Sequence, residues 1–160
     1  MVYLSLGSNS PDQLNMLTRA RILLSAYGGR IVSASQVYKT DPWGELDQPT
    51  FVNQAIAIKT TQDITTFHAS CLQIERILGK RKKSKYGQRN IDIDILLFDE
   101  KVYDSPALQI PHPRMHLRNF VLIPLAEIAP DAVVPIVNQA VSALLEQSKD
   151  QGKVTPYQHE

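Results

Sequence analysis

The chain has 160 residues, 43% hydrophobic and 21% charged, with a net charge of +1. That length carries one domain with a proper core, and the near-neutral balance argues against a general nucleic-acid binder. No run of about 18 apolar residues exists, which excludes a helical membrane span. No secretion signal is recognisable, and the one cysteine, Cys71, rules out an internal disulfide and suits the reducing cytoplasm.

Residues 2–6 form a short apolar run ending at Gly7, Ser8 and Asn9, the punctuation of a strand that leads into a helix cap. From Pro11, Leu14, Leu17, Ile22, Leu23 and Leu24 keep helical spacing until Gly28 and Gly29 supply a stop. Residues 31–38 read as one strand, and residues 40–49, with two prolines and a glycine, as a loop of the length that tends to carry function. Residues 51–58 alternate as a strand. Residues 64–78 are helical, with Phe67, Cys71, Ile74 and Leu78 as the buried stripe. The position of Cys71 in that stripe makes it a buried helix residue rather than a nucleophile.

The basic segment 80–85 has no apolar residue and little local reason to order. Residues 91–98 form the strongest strand, and Val102 and Tyr103 extend a hairpin. Ile110-Pro-His-Pro is a rigid turn that no helix interior tolerates. Residues 114–118 read as a helical turn, 120–128 as a short helix and 141–145 as a last amphipathic helix, with a frayed tail after about 147. The order β-α-β-β-α-β predicts an α+β fold of ferredoxin-like type, an antiparallel or mixed sheet with helices packed on it and C-terminal additions. One domain over residues 1–160 is expected. There is no Gly-x-x-x-x-Gly-Lys-Ser/Thr loop, so a phosphate site must come from Arg, Lys and metal.

The chemistry concentrates after the second helix. Asn90 to Ile95 alternates polar and apolar residues, so Asp92 and Asp94 share a strand face, roughly 7 Å apart at ~3.3 Å rise per residue. Such carboxylates suit a hard cation such as Mg²⁺. Seven of the 17 basic residues crowd between Arg76 and Arg89 just upstream. Cations beside metal-binding carboxylates point to a polyphosphate. Arg89, His112 and Arg118, and after them Arg114 and His116, are candidate phosphate ligands around fixed prolines. Thr40, Pro42 and Trp43, with Phe51 and Asn53 on the next strand, offer an aromatic and an amide to a flat heterocycle. From the residues alone, Phe51 and Phe120 read equally well as core. Two rivals stand beside this reading: an RNA-binding ferredoxin-like module, which would need paired exposed aromatics on the sheet, and a metal-dependent phosphohydrolase.

Several motifs in order then carry a resemblance. They are Leu4-Ser-Leu-Gly-Ser-Asn9, Tyr38-Lys-Thr40, Asp47-Gln-Pro-Thr-Phe51-Val-Asn53, Arg89-Asn-Ile-Asp92-Ile-Asp94, Ile110-Pro-His-Pro-Arg114 and Phe120-Val-Leu-Ile-Pro-Leu-Ala-Glu-Ile-Ala-Pro130. With these the chain resembles the 6-hydroxymethyl-7,8-dihydropterin pyrophosphokinases of folate synthesis, over nearly all of Leu4 to Asp131. The resemblance implies a ferredoxin-like α+β fold and ATP as co-substrate. It implies two Mg²⁺ ions on Asp92 and Asp94, and a pterin ring between Phe51 and Phe120. Asn53 and the backbone near Thr40, Pro42 and Trp43 would read the ring edge. Glu75, Tyr86, Arg89, His112 and Arg118 would face ATP, with Arg81 or Lys82 among the catalytic cations. Which of Lys80, Arg81 and Lys82 takes each phosphate stays open. The partners expected are these small molecules, with no nucleic acid and no membrane, around a monomer.

Overall fold

β1 (Val2–Ser8) lies between two other strands, and both of its faces find cover. Val2, Leu4 and Leu6 are fully buried on one side, and Tyr3 packs on the other. The computed structural model describes residues 1–40, 49–80 and 89–158. α1 (Gln13–Tyr27) buries Leu17, Ala20 and Leu24, a stripe at helical spacing. The turn after it needs Gly29, at φ +144°, where a Cβ would lie 2.5 Å from the Lys59 carbonyl oxygen. The chain continues through β2 (Arg30–Ala34), β3 (Tyr38–Thr40), β4 (Phe51–Lys59), α2 (Ile64–Ile77) and β5 (Asp92–Phe98). Asp63 caps α2 by accepting from the Thr66 backbone N–H at 2.8 Å.

A hairpin of β6 (Tyr103–Ser105) and β7 (Leu108–Ile110) follows. Residues 102–103 do not extend the 91–98 strand into a hairpin, because Tyr103 pairs onward with Ile110 in a separate two-stranded sheet. Ile110 and Pro111 are joined by a cis peptide bond. A single 3₁₀ turn (Met115–Leu117) leads to α3 (Asn119–Ile128). Then come β8 (Val133–Val134), β9 (Gln139–Ala140), α4 (Val141–Glu146) and β10 (Val154–Pro156).

The main sheet runs β10-β3-β4-β1-β5, with β2 also on β4, and every pairing in it is antiparallel. With β2 and β3 taken as one interrupted strand, this is the β-α-β-β-α-β arrangement, an α+β fold. α1 and α2 cover one face, over Leu4, Leu6, Ile56, Ile58 and Ile95, with Phe67 of α2 in the same core. α3, backed by α4, covers part of the other, laying Leu122 and Leu125 over Tyr3, Ala55 and Leu97 with Leu144 of α4 behind them. Leu4 pairs with Ile95 and Tyr3 with Leu97, leaving Leu96 as an extra residue in β5. That bulge reverses the alternation. Phe98 rather than Leu97 therefore joins Ile95 in the first core, meeting the Phe67 ring edge-on at 5.9 Å.

Two expectations are corrected. Residues 31–38 are not one strand, because Ser35 answers both backbone groups of Ala55. Its N–H donates to the Ala55 carbonyl at 2.9 Å and its hydroxyl accepts the Ala55 N–H at 3.0 Å. A side-chain oxygen thus replaces the ladder partner, and the Gln36 N–H turns away to the Glu127 carboxylate at 3.0 Å. Nor is the tail frayed after residue 147. β10 pairs with β3, Val154 opposite Thr40 and Pro156 opposite Tyr38. The edge of β3 carries backbone groups that need partners, and Tyr157 anchors the tail by packing on the first core. Most of the expected loop 40–49 and the basic run after Lys80 lie outside the described residues. Among the described residues no helix is long and apolar enough to cross a membrane.

Candidate active site

Toward one end of the second face the strands change from apolar to polar. Strand parity puts Tyr3, Ser5 and Gly7 on one face of β1, Ala55, Asn53 and Phe51 on the same face of β4, and Asp94 and Asp92 on that of β5. The register then builds a row across the sheet: Asn53 lies opposite Gly7, and Gly7 opposite Asp92, with Ser5 opposite Asp94 beside it. These residues floor a cavity of about 290 Å³. Thr40 and Phe51 form one wall, Arg118 and Phe120 from the start of α3 form another, and Arg89 closes a third side. Phe51 and Phe120 both line this cavity, and each stays partly exposed in it.

The floor is fixed by packing. Asn53 is buried, and its Nδ2 donates to Thr40 Oγ1 at 2.8 Å. Gly7 leaves room for that amide, since a Cβ there would stand 2.9 Å from Asn53 Oδ1. The Arg118 guanidinium sits 5.5 Å from the centre of the Phe120 ring, a cation–π contact that couples the two side chains.

A larger cleft, about 740 Å³, runs along the outer edge of β5 between α2 and the β6–β7 hairpin. Leu72, Glu75, Lys80, Gln109 and His112 line it. Asp94 borders both spaces. The smaller cavity has aromatic walls, the larger cleft is more open, and a carboxylate marks their junction.

The charges at this junction are tightly linked. Lys80 Nζ lies 2.8 Å from Glu75 Oε1 and 2.9 Å from Asp92 Oδ1, and an Arg89 guanidinium nitrogen lies 3.2 Å from Asp92 Oδ2. Glu75 Oε1 also accepts the Ile93 backbone N–H at 2.7 Å, which satisfies a donor on an otherwise open strand edge. Burial pushes the Glu75 carboxyl upward, with Lys80 opposing it. Burial works against the Lys80 ammonium, yet Asp92 and Glu75 outweigh it and hold its pKa above the ordinary value. The surface of Asp94 is exposed to the two cavities, but their walls displace bulk water around it. That desolvation, and next the Asp92 charge, raise its carboxyl pKa. Burial, then Arg118 and Arg114, lower that of His112, favouring a neutral ring that can still donate one hydrogen bond.

Asp92 and Asp94 fit a divalent cation. Both are hard oxygen donors on one strand face, and a cation between them would relieve the penalties that raise the Asp94 pKa. Among the described residues no three His, Cys, Asp or Glu side chains converge. Two carboxylates leave the remaining coordination to water and phosphate oxygens, as suits Mg²⁺.

Of the residues singled out by sequence, Thr40, Phe51, Asn53, Arg89, Asp92, Asp94, Arg118 and Phe120 come together at the small cavity, and Glu75 and His112 at the cleft. Arg114 and His116 line neither space. Pro42, Trp43, Arg81, Lys82 and Tyr86 lie outside the described residues. Sequence reasoning missed the floor residues Ser5 and Gly7, and it missed the supports of Arg89. Asn9 Oδ1 accepts the Arg89 N–H at 2.6 Å, and the Asn9 N–H donates back to the Arg89 carbonyl at 3.2 Å. The run Gly7-Ser8-Asn9 was visible as a strand end, but its partners, about 80 positions away, were not.

Comparison with known proteins gives a consistent picture. The family profile described as 7,8-dihydro-6-hydroxymethylpterin-pyrophosphokinase matches residues 3–130. A 2-amino-4-hydroxy-6-hydroxymethyldihydropteridine pyrophosphokinase of Methylorubrum extorquens is 44% identical over 133 residues, covering 82% of this chain and 84% of that one. A protein of the same name from Bacillus subtilis is 40% identical, covering 80% and 77%. Among solved structures, the wild-type Plasmodium falciparum HPPK-DHPS with pteroate aligns with a TM-score of 0.74 at 17% identity, a likeness of fold. This chain is covered to 91% by that alignment but spans only 42% of the longer chain.

Proposed function

We infer the activity from kinship and geometry together: the chain belongs to the 7,8-dihydro-6-hydroxymethylpterin-pyrophosphokinase family, and its two spaces suit the two substrates such an enzyme needs. The protein moves the pyrophosphoryl group of ATP to 6-hydroxymethyl-7,8-dihydropterin, giving the pterin diphosphate and AMP for folate synthesis. The observation that carries this reading is Asp94, which borders both the aromatic-walled cavity and the open cleft.

In this reading the pterin ring stacks between Phe51 and Phe120, and Asn53, held by Thr40, reads its edge. The nucleotide lies in the cleft beside Glu75 and His112, with its phosphates turned toward Arg89, Arg118 and Lys80. Arg81, Lys82 and Tyr86 complete the nucleotide set, and Pro42 and Trp43 the pterin set. Asp92 and Asp94 would hold Mg²⁺, two ions by the resemblance, which when bound neutralise and orient the phosphates. The pterin hydroxymethyl oxygen attacks the β-phosphorus in line. The bond from that phosphorus to the oxygen bridging to the α-phosphate breaks, AMP leaves, and the hydroxyl proton is released. Such transfers need little covalent chemistry from the protein, so positioning and charge dominate. The enzyme is a monomer of the cytoplasm, where the buried thiol of Cys71 stays reduced.

The test is direct. Incubation with ATP, Mg²⁺ and the reduced pterin alcohol should yield AMP and the pterin diphosphate in equal amounts by ion-exchange chromatography. Inorganic phosphate in place of AMP would overturn the transfer reading in favour of a phosphohydrolase.

A further inference from the structure

The last turn of chain, past residue 130 where the family match ends, touches both walls of the small cavity from behind. α3 starts without a side-chain cap from its own N-terminal residue, Arg118. The cap comes instead from Asp150. Its Oδ2 accepts the Asn119 backbone N–H at 2.7 Å, its backbone carbonyl accepts Asn119 Nδ2 at 3.0 Å, and its Oδ1 accepts the Gly152 N–H at 2.8 Å. A carboxylate at that place satisfies a free donor and opposes the positive end of the helix dipole. The residues on either side of Asn119 are Arg118 and Phe120, the wall formed by α3.

A few residues on, the same segment reaches the opposite wall. Val154 pairs with Thr40 and Thr155 with Lys39, and the Tyr157 N–H donates to the Val37 carbonyl at 2.8 Å. Thr40 in turn holds the Asn53 amide. One short segment therefore spans from the start of α3 to the end of β3, and it is anchored beyond by Tyr157 in the core.

We propose that residues 149–158 form a positioning strap for the pterin cavity, in which Asp150 sets the height of Phe120 and Arg118 while β10 sets Thr40 and, through it, Asn53. Asp150 touches no reacting group; it acts through Asn119 and through its charge on Arg118. The proposal rests on the pterin reading of the cavity, and it predicts a selective effect. Loosening the strap separates the ring-binding walls and reaches the nucleotide only through Arg118, since Glu75, Leu72 and His112 along the cleft are not tied to it.

The experiment compares Asp150→Ala and Asp150→Asn with the wild-type full chain. For Asp150→Ala, the KM for the pterin alcohol should rise about five- to tenfold, the equivalent of a lost helix cap, with the KM for ATP rising about twofold at most, through Arg118 alone. Asp150→Asn keeps an acceptor oxygen and should recover part of the loss. A merely structural role would lower the melting temperature or the active fraction without separating the two KM values. Equal rises in both, or an unchanged pterin KM, would overturn the proposal. Amide hydrogen exchange at Asn119 and Thr40, measured without ligand, separates this proposal from the activity reading. If wild type makes no AMP, the activity reading fails, and the strap stands or falls on faster exchange at Asn119 in Asp150→Ala.

Discussion

Asp92 and Asp94 differ in their surroundings although they are neighbours on one strand face. Asp92 is paired with both Lys80 and Arg89, whereas Asp94 faces two cavities and has a raised pKa. Asp92→Ala and Asp94→Ala should each lower turnover by about 10²-fold or more, the scale of one lost electrostatic stabiliser. Unchanged far-ultraviolet circular dichroism would show that the fold survives, and near-normal AMP formation would refute the assignment. At Gly7 the test is steric. Gly7→Ala pushes a Cβ to within 2.9 Å of Asn53 Oδ1, so it should weaken binding of the pterin alcohol in calorimetry more than it weakens binding of ATP. His112 supplies a pH test. Its pKa is lowered in the fold by burial, Arg118 and Arg114. The unfolded chain then binds the proton more readily, so stability is lost as pH falls below about 6.5, the unfolded histidine value. Urea melts of ligand-free protein between pH 7 and 5 should show a smaller loss for His112→Gln than for wild type.

At the scale of elements, turns and helix faces carry the fold. Gly29 stands at positive φ with its α-carbon against the end of β4, and Gly29→Ala should cost about 1–3 kcal/mol in urea unfolding, the range for a strained backbone position. A loss within a few tenths of that for an exposed surface alanine would show the turn to be adaptable. The buried face of α2 gives a second check. Burial, and next Glu75, push the Cys71 thiol up to about 12. Iodoacetamide at pH 8 should leave the native protein unmodified and label it fully once denatured, as mass spectrometry can follow. The same helix shows why element reading from sequence works in part. Phe67, Cys71 and Ile74 repeat at helical spacing, so their burial is a local property of the chain. Glu75 is buried too, and no local pattern shows this, because its partners Lys80 and Ile93 belong to the loop and strand that follow.

For the whole molecule, two substrates that bind the folded state alone should raise stability. At a hundred times its Kd a ligand adds about 2.7 kcal/mol, so ATP with Mg²⁺ should raise the melting temperature, and EDTA should remove most of that gain. The chain's own periodicities already determine the β-α-β-β-α-β order, the shared face of Asp92 and Asp94 and the helix stripes, because each depends on side-chain direction over a few residues. The small cavity is different. It needs Gly7 between Asn53 and Asp92, a relation set by register across three strands. It also needs Phe120 brought from the helix packed on that face and a tail that closes the β3 edge. The bulge at Leu96, the pause at Ser35 and the cap from Asp150 arise from contacts between distant segments. Only tertiary structure decides them, because a hydrogen-bonding group left open by one segment is satisfied by whichever segment folding brings beside it.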